Sequence, residues 1–322
     1  MGSVKDVTIL KAPTESRMGE GVFTFSDKFS VFDYGEMPDH IEGKGEALCL
    51  MASYNFKQLE GRGLKTHFVG LDGQNKMRFR LVRKIMPEGL SPETNNCMVP
   101  LEIIFRDSLP PGSSVFKRVE KGQTTWRDLG LDHEGKPGEK LKKPIIDFST
   151  KFETFDRYFK DLDEVIGYCR LGRQRIESLK QQALRINDYL REKARQAGWE
   201  HLDGKVEAGI DPAGSIVWVD VLGTLDEDRF EFAGVSLSKE LLREYYRATP
   251  WFAEFTEVKE KNLPEDEWPT PPHLPAELLK LVSDMYKSAC NEWTGEKHFG
   301  VKPLKQLISE DYAKLKQKGM VR

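Results

Sequence analysis

Hydrophobic and polar positions alternate in short runs through the first part of the chain. The stretches "VTIL", "VFTFSD" and "FSVFD" within residues 4–36 read as strands, the first two separated by the loop "KAPTESRMGEG". After Gly43-Lys44-Gly45 the period becomes helical. Leu48, Met51, Ala52, Phe56 and Leu59 share a face of a helix expected to stop at Gly61 or Gly63. Alternation returns in "KTHFVGL", "MRFRLVRKIM" and "MVPLEIIFR", with residues 87–98 as a connection and 119–143 as an exposed Gly/Lys/Glu-rich excursion. The spacing of Ile176, Leu179, Ala183, Ile186, Leu190 and Ala194 predicts a single striped helix within 161–198. A hairpin over 203–220, a helix after Ser238, a Pro-rich connection over 259–275 and an amphipathic helix ending at Gly295 follow. Antiparallel strands with segregated helices make the fold class α+β. Two lobes are expected: an N-terminal antiparallel sheet over 1–110 and a larger α+β lobe over 111–322.

Composition narrows the function classes. The 322 residues are 39% hydrophobic and 31% charged, with a net charge of -3, so nothing draws the whole molecule to nucleic acid or an anionic membrane. No run approaches the length of a membrane span. Cys49, Cys97, Cys169 and Cys290 lack the close pairing of a zinc site and read as buried reduced thiols, which suits a cytoplasmic location. Any bound phosphate must be held by a local group of residues.

The hairpin "DGKVEAGIDPAGSIVWVD" carries Lys205, Glu207 and Asp220 among apolar residues. A turn centred on Pro212-Ala213 sets Lys205 opposite Asp220 and Glu207 opposite Trp218. Val206, Ala208, Ile210, Val217 and Val219 then share the other face. The charged face is either a solvated surface with a cross-strand ion pair or a site. The loop bearing Lys11, Arg17, Gly19 and Gly21 is either a turn or a phosphate-binding loop. In "MVPLEIIFRDSLPPGSSVFKR" a strand presents Glu102 and Arg106 on one face, and the turn after it presents Ser113 and Ser114, groups that suit a phosphate monoester. Lys239 and Arg243, one helical turn apart, either face solvent or share an anion.

Six stretches in order resemble the SAICAR synthetase family, phosphoribosylaminoimidazole-succinocarboxamide synthases, over roughly residues 20–295. They are "FTFSDKFSVFD…IEGKGEALCLMASYNF", "MVPLEIIFRDSLPPGSSVFKR", "PIIDFSTKFE", "DGKVEAGI…IVWVDVLGTLDEDRF", "SKELLREYY" and "PHLPAELLKLVSDMYKSACNEWTG". The resemblance implies an ATP-dependent ligase that joins L-aspartate to carboxyaminoimidazole ribotide through an acyl phosphate, with Mg²⁺, in purine biosynthesis. It also implies residue roles. Glu207 and Asp220 hold nucleotide magnesium; of the catalytic candidates, Asp203 and Lys205 contact the imidazole substrate and Asp226 takes an acidic substrate or second-metal position. Arg106, Ser113 or Ser114, and Arg229 grip the ribose phosphate. Lys239 and Arg243 receive substrate carboxylates, with Asp156 as a further substrate contact. Glu102 and Lys151 contact the nucleotide, and Lys11 and Arg17 take the place of the family's opening phosphate loop. The chain departs from the family at Val221, where a glutamate is expected after Asp220, and in two spacings that are one residue longer. A homo-oligomer is compatible with this reading. The competing readings are a ligase with another acceptor or amine, a nucleotide-binding relative without turnover, and a phosphotransferase to a hydroxyl.

Overall fold

The computed structural model describes residues 4–153 and 156–321. Strands β1 (Lys5–Lys11) and β2 (Gly19–Phe25) lead into helix α1 (Lys44–Gly61), then β3 (Phe68–Leu71) and β4 (Lys76–Leu81). These strands form an antiparallel four-stranded sheet in the order β1-β2-β4-β3. Phe23, Met77 and Phe79 on its inner face and Leu48, Met51, Ala52, Phe56 and Leu59 on α1 are all buried in the core. The expected strand "FSVFD" does not form. Phe32 and Asp33 both take left-handed φ, 59° and 58°, and the curled chain tucks Phe29, Val31, Met37 and Ile41 into the core instead. Just before the curl, the Asp27 carboxylate accepts from the backbone N–H groups of Gly43 (3.1 Å) and Gly45 (2.9 Å), anchoring the start of α1.

The second sheet is built around one long strand. After β5 (Cys97–Met98), β6 (Leu101–Leu109), α2 (Ser114–Glu120), β7 (Glu139–Thr150), α3 (Leu162–Cys169) and α4 (Arg173–Gln196) comes β8 (Glu200–Ile210). The first half of β8 pairs with β6 and with β10 (Asp228–Phe232); the second half pairs with β5 and with β9 (Ile216–Val219). With β7 and β11 (Val235–Ser236) this makes seven strands. Strand β6 belongs here, so the four-stranded sheet draws on no residue beyond Leu81. The expected single helix over 161–198 is broken: Arg170 and Gly172 have φ of 55° and 86°, and the apolar stripe that covers the sheet belongs to α4 alone.

The C-terminal part consists of α5 (Glu240–Arg247), α6 (Pro250–Glu260), α7 (Ala276–Thr294), α8 (Leu304–Gln306), a π-wound turn at Leu307–Tyr312 and α9 (Ala313–Gln317). Helix α7 packs on α1. Asn55 on α1 fastens the join. Its Nδ2 donates to the carbonyls of Leu222 (3.1 Å) and Gly223 (2.8 Å), while its Oδ1 accepts from Tyr189 and Trp293 (both 2.7 Å). The four cysteines are buried and free. Among the described residues no helix is long and apolar enough to cross a membrane.

A second fastening is His67, just before β3, whose backbone N–H donates to Trp218 O (2.9 Å) and whose Nε2 lies 3.0 Å from Asp220 O. Burial among Phe23, Phe56 and Phe79 pulls its pKa from 6.5 to about 4. Between those values the unfolded chain binds a proton that the native chain does not, so stability falls as pH drops from 6.5 to 4. Urea unfolding is expected to lose on the order of 3 kcal/mol from this residue across that window. The component should be missing in a His67→Asn chain; equal pH slopes for the two proteins would contradict it.

Candidate active site

One sheet face supplies the floor of a cleft of about 720 Å³. Side chains alternate along a strand, so Asp203, Lys205 and Glu207 of β8 project to the same side. The register sets Arg106 opposite Asp203 and Ile104 opposite Lys205, which brings Glu102 and Arg106 of β6 onto that side as well. Strand β10 adds Arg229, opposite Asp203. The cleft is lined by Glu102, Arg106, Ser114, Asp156, Asp203, Lys205, Asp226, Arg229, Lys239 and Arg243, among others.

The hairpin reaches this face by a different register from the one expected. The turn runs from Asp211 to Ser215, one residue longer than a Pro-Ala centred turn, and Glu207 pairs with Val219 while Ala208 pairs with Trp218. Asp211 organises the longer loop, its Oδ1 accepting from Ala213 N (2.9 Å) and Ser215 N (2.8 Å). The slip exchanges the faces of β9. Trp218 enters the main core, and Val217 and Val219 join the side of Glu207. Asp220 returns to that side because it leaves the strand with a φ of 63°, a conformation that aspartate tolerates better than most residues. Val217 and Val219 form a small separate cluster with Val82, against which Met18 and Met98 pack. The loop before β2 is held near it by Asn96, whose Nδ2 donates to Thr14 O (2.5 Å) and Arg17 O (2.8 Å).

Charges are densest where hairpin and floor meet. Lys205 Nζ lies 2.9 Å from Glu102, 3.6 Å from Glu207 and 3.4 Å from Glu227; Lys151 pairs with Glu207, and Lys5 Nζ lies 2.6 Å from Asp220. Four carboxylates, Glu102, Glu207, Asp220 and Glu227, thus surround three ammonium groups, those of Lys5, Lys151 and Lys205. Burial and the neighbouring Asp220 push Glu207 up to about 7. Burial acts the same way on Asp220, but Lys5, Lys151 and Lys205 overcome it and hold that carboxyl down at about 2. Burial opposes charge on Lys205, yet Glu227, Glu207 and Glu102 keep it firmly protonated. The excess of hard oxygen ligands suits a divalent cation that takes one or two carboxylates and fills its shell with phosphate and water.

The opposite end of the cleft is rich in guanidinium groups. Arg229 forks onto Asp203 with Nε at 2.7 Å and a second, shorter contact from Nη2. Arg106, buried beneath it, donates to Ser113 (3.4 Å), Ser114 (3.3 Å) and Asp147 (3.4 Å). Ser113 is the buried cap of α2, and Ser114 is the hydroxyl that lines the cleft. Asp226 is buried with Lys44 Nζ at 2.8 Å and accepts from Tyr286 OH at 2.6 Å; burial would raise its carboxyl, but Lys44 and Lys239 hold it well below the usual range. Arg243 pairs with Glu240 at 2.8 Å. Burial and Glu102 raise the Asp156 carboxyl.

Lys11 and Arg17 are not brought into this constellation. Both are exposed, with no side-chain ion pair among the described residues. Three members escaped the sequence reading: Lys5, Lys44 and Glu227. Lys44 sits in the "GKG" that opened α1, and that setting was its signal; Lys5 and Glu227 had none.

The comparisons with known proteins agree with this architecture. The profile described as SAICAR synthetase matches residues 2–258. A protein of Archaeoglobus fulgidus, provisionally named a phosphoribosylaminoimidazole-succinocarboxamide synthase, is 41% identical over 330 residues, covering 96% of this chain and 98% of its own. The phosphoribosylaminoimidazole-succinocarboxamide synthase of Thermoplasma acidophilum is 36% identical, with 86% and 93% covered. Among solved structures, the SAICAR synthase of Saccharomyces cerevisiae complexed with SAICAR superposes with a TM-score of 0.67 at 20% identity, over 92% of this chain and 94% of that one. A SAICAR synthetase in complex with ADP gives 0.59 at 22% identity, over 93% and 98%. The chain belongs to the SAICAR synthetase family.

Proposed function

We propose that the chain joins L-aspartate to carboxyaminoimidazole ribotide with ATP, giving SAICAR and consuming the nucleotide to ADP and phosphate. The family's ATP-dependent carbon–nitrogen ligation in purine biosynthesis supports this, and so does the ADP held by a structural neighbour. The observation that carries the reading is the single sheet face on which nucleotide-side carboxylates and phosphate-side guanidinium groups stand in line.

A carboxylate does not yield an amide directly, because oxide would have to leave. The substrate carboxylate attacks the γ-phosphorus of ATP, ADP departs, and the acyl phosphate that results is attacked by the aspartate amine. Phosphate then leaves, and the neutral amine gives up one proton in becoming the amide nitrogen, which keeps the other. In this reading the apolar cluster of Val82, Val217 and Val219 with Met18 and Met98 receives the adenine. Lys5, Lys151 and Lys205 exchange carboxylate partners for phosphoryl oxygens as charge builds there. Glu207 and Asp220 would hold Mg²⁺, which when bound neutralises phosphate oxygens. Arg106, Arg229 and Ser114 hold the ribose phosphate, and Lys239 and Arg243 the dicarboxylate. Asp203 fixes the Arg229 fork. Asp226, ionised by Lys44, is placed to accept a proton from the amine. The lobe boundary falls between Leu81 and Cys97, where the chain passes from one sheet to the other.

Purified protein with ATP, Mg²⁺ and the imidazole carboxylate should form the succinocarboxamide and ADP only when aspartate is present; product mass decides, and ADP release without aspartate-dependent product would exclude the reading. Glu207→Gln should lower kcat at least about a hundredfold in a chain that still folds, since the amide keeps the side chain's shape and loses the charge that would hold a cation. Near-native turnover would remove the metal assignment. In the adenine cluster, Val219→Asp should raise the KM for ATP by roughly tenfold or more and leave that for aspartate unchanged. Lys44→Met strands a buried carboxylate and should cost about 3–5 kcal/mol in urea unfolding. Adding Asp226→Asn should return most of that loss; additive costs would contradict the pair.

A further inference from the structure

Behind the cleft floor lies a fully buried histidine that the reaction does not use. His201 of β8 places Nδ1 2.7 Å from Asp107 Oδ2 and Nε2 2.9 Å from Asp228 Oδ1, with side-chain exposures of 1% for His201 and 0% for Asp228. Since both partners are carboxylates, both ring nitrogens donate, and the ring is an imidazolium. Burial works against that charge, but the hydrogen bonds to Asp107 and Asp228 overcome it and hold the ring at about 9. The groups facing it are Asp107 from β6 and Asp228 from β10, with Phe105 and Phe230 on its sides. Beyond Asp107 stand Asn187, at 2.9 Å, and Arg191, at 3.3 Å, both from α4.

Asp228 stands between two residues that face the cleft. Glu227 reaches Lys205 and Arg229 reaches Asp203, while the side chain of Asp228 turns the other way, over Gly204. A Cβ at Gly204 would lie 1.9 Å from Asp228 Oδ1, so glycine is required there for the crossing. The other carboxylate oxygen accepts from Gly223 N at 2.8 Å. One carboxylate therefore ties both ends of the segment between the hairpin and β10 to a fixed cation.

We propose that His201 is a positioning residue for the ligation: as an imidazolium bridging Asp107 and Asp228, it holds residues 223–229 in the register that presents Arg229 to the ribotide. The assignment of Arg229 to the ribotide phosphate rests on the function proposed above, whereas the holding of 223–229 does not, and two measurements separate them. Amide hydrogen exchange of the full chain should speed up at least about tenfold across 223–229 in His201→Gln while α1 stays protected. Unchanged exchange in that segment would overturn the proposal whether or not the wild-type protein turns over. Kinetically, His201→Gln should raise the KM for the imidazole carboxylate about tenfold, with the KM for ATP within about twofold. A lowered melting temperature with both constants unchanged would reduce His201 to a stability residue and overturn the proposal too. If His201→Gln does not fold, Asp228→Asn replaces it. An amide places an oxygen at only one of the two positions held by Oδ1 and Oδ2 and an NH2 group at the other, so it cannot accept from His201 and from Gly223 N–H where they stand, and the same segment should loosen; unchanged exchange there would again overturn the proposal.

Discussion

Burying carboxylates is the constraint on which the rest of this structure depends. Asp220, Asp226 and Asp228 lie within nine residues of one another, the first largely and the other two almost fully enclosed, a cost that no single neighbourhood of the chain could offset. Each is met by a cation from a different element. Lys5 comes from β1, Lys44 from the first turn of α1, and His201 from β8. The segment from Asp220 to Asp228 is therefore tied by a knot of ion pairs to β1, α1 and β8. Removing one partner would leave an unpaired charge in the interior, which accounts for the neutral bonds that reinforce the same segment, from Asn55 to the Leu222 and Gly223 carbonyls and from His67 to Asp220 O.

That arrangement explains how one cleft can serve opposite charges. Acidic groups at the hairpin end exceed the lysines beside them, which favours a cation and, with it, the phosphates of a nucleotide. At the other end Arg106 and Arg229 are held by Asp147 and Asp203, so their planes are set before a ligand arrives. Lys205 stands between the two ends, flanked by Glu102 and Glu227. Val221 fits the same account. It is buried in the main core, where a glutamate would add another enclosed charge, while Glu227 supplies a carboxylate on the cleft side of the segment.

Legibility in the sequence followed the range of the interaction. Helices α1, α4 and α7 declare themselves because their apolar residues recur every three or four positions, and the face shared by Glu102 and Arg106 follows from strand alternation alone. What could not be read was set by distant partners. The pairing of Lys44 with Asp226, or of Lys5 with Asp220, leaves no local period. "FSVFD" has the composition of a strand, and tertiary burial of Phe29 and Val31 overrides it. The break at Gly172 is a backbone event, a positive φ at a glycine that a periodic stripe does not reveal.

The hairpin illustrates how a small local choice decides chemistry. A turn lengthened by Ser215 slips the pairing by one residue, and with a period of two every side chain on β9 changes face. Under the shorter turn Trp218 would have stood beside Glu207 and closed the space next to it. Under the longer one, valines stand there and tryptophan fills the core, where its Nε1 donates to Gln182 at 3.1 Å. The slip alone would also have carried Asp220 away from Glu207. The left-handed φ at Asp220 turns it back, and the backbone carbonyl of that strained residue is the one that His67 holds. A longer turn, one strained aspartate and a buried histidine are thus parts of a single solution, an apolar cluster and a pair of carboxylates side by side on the same face of the sheet.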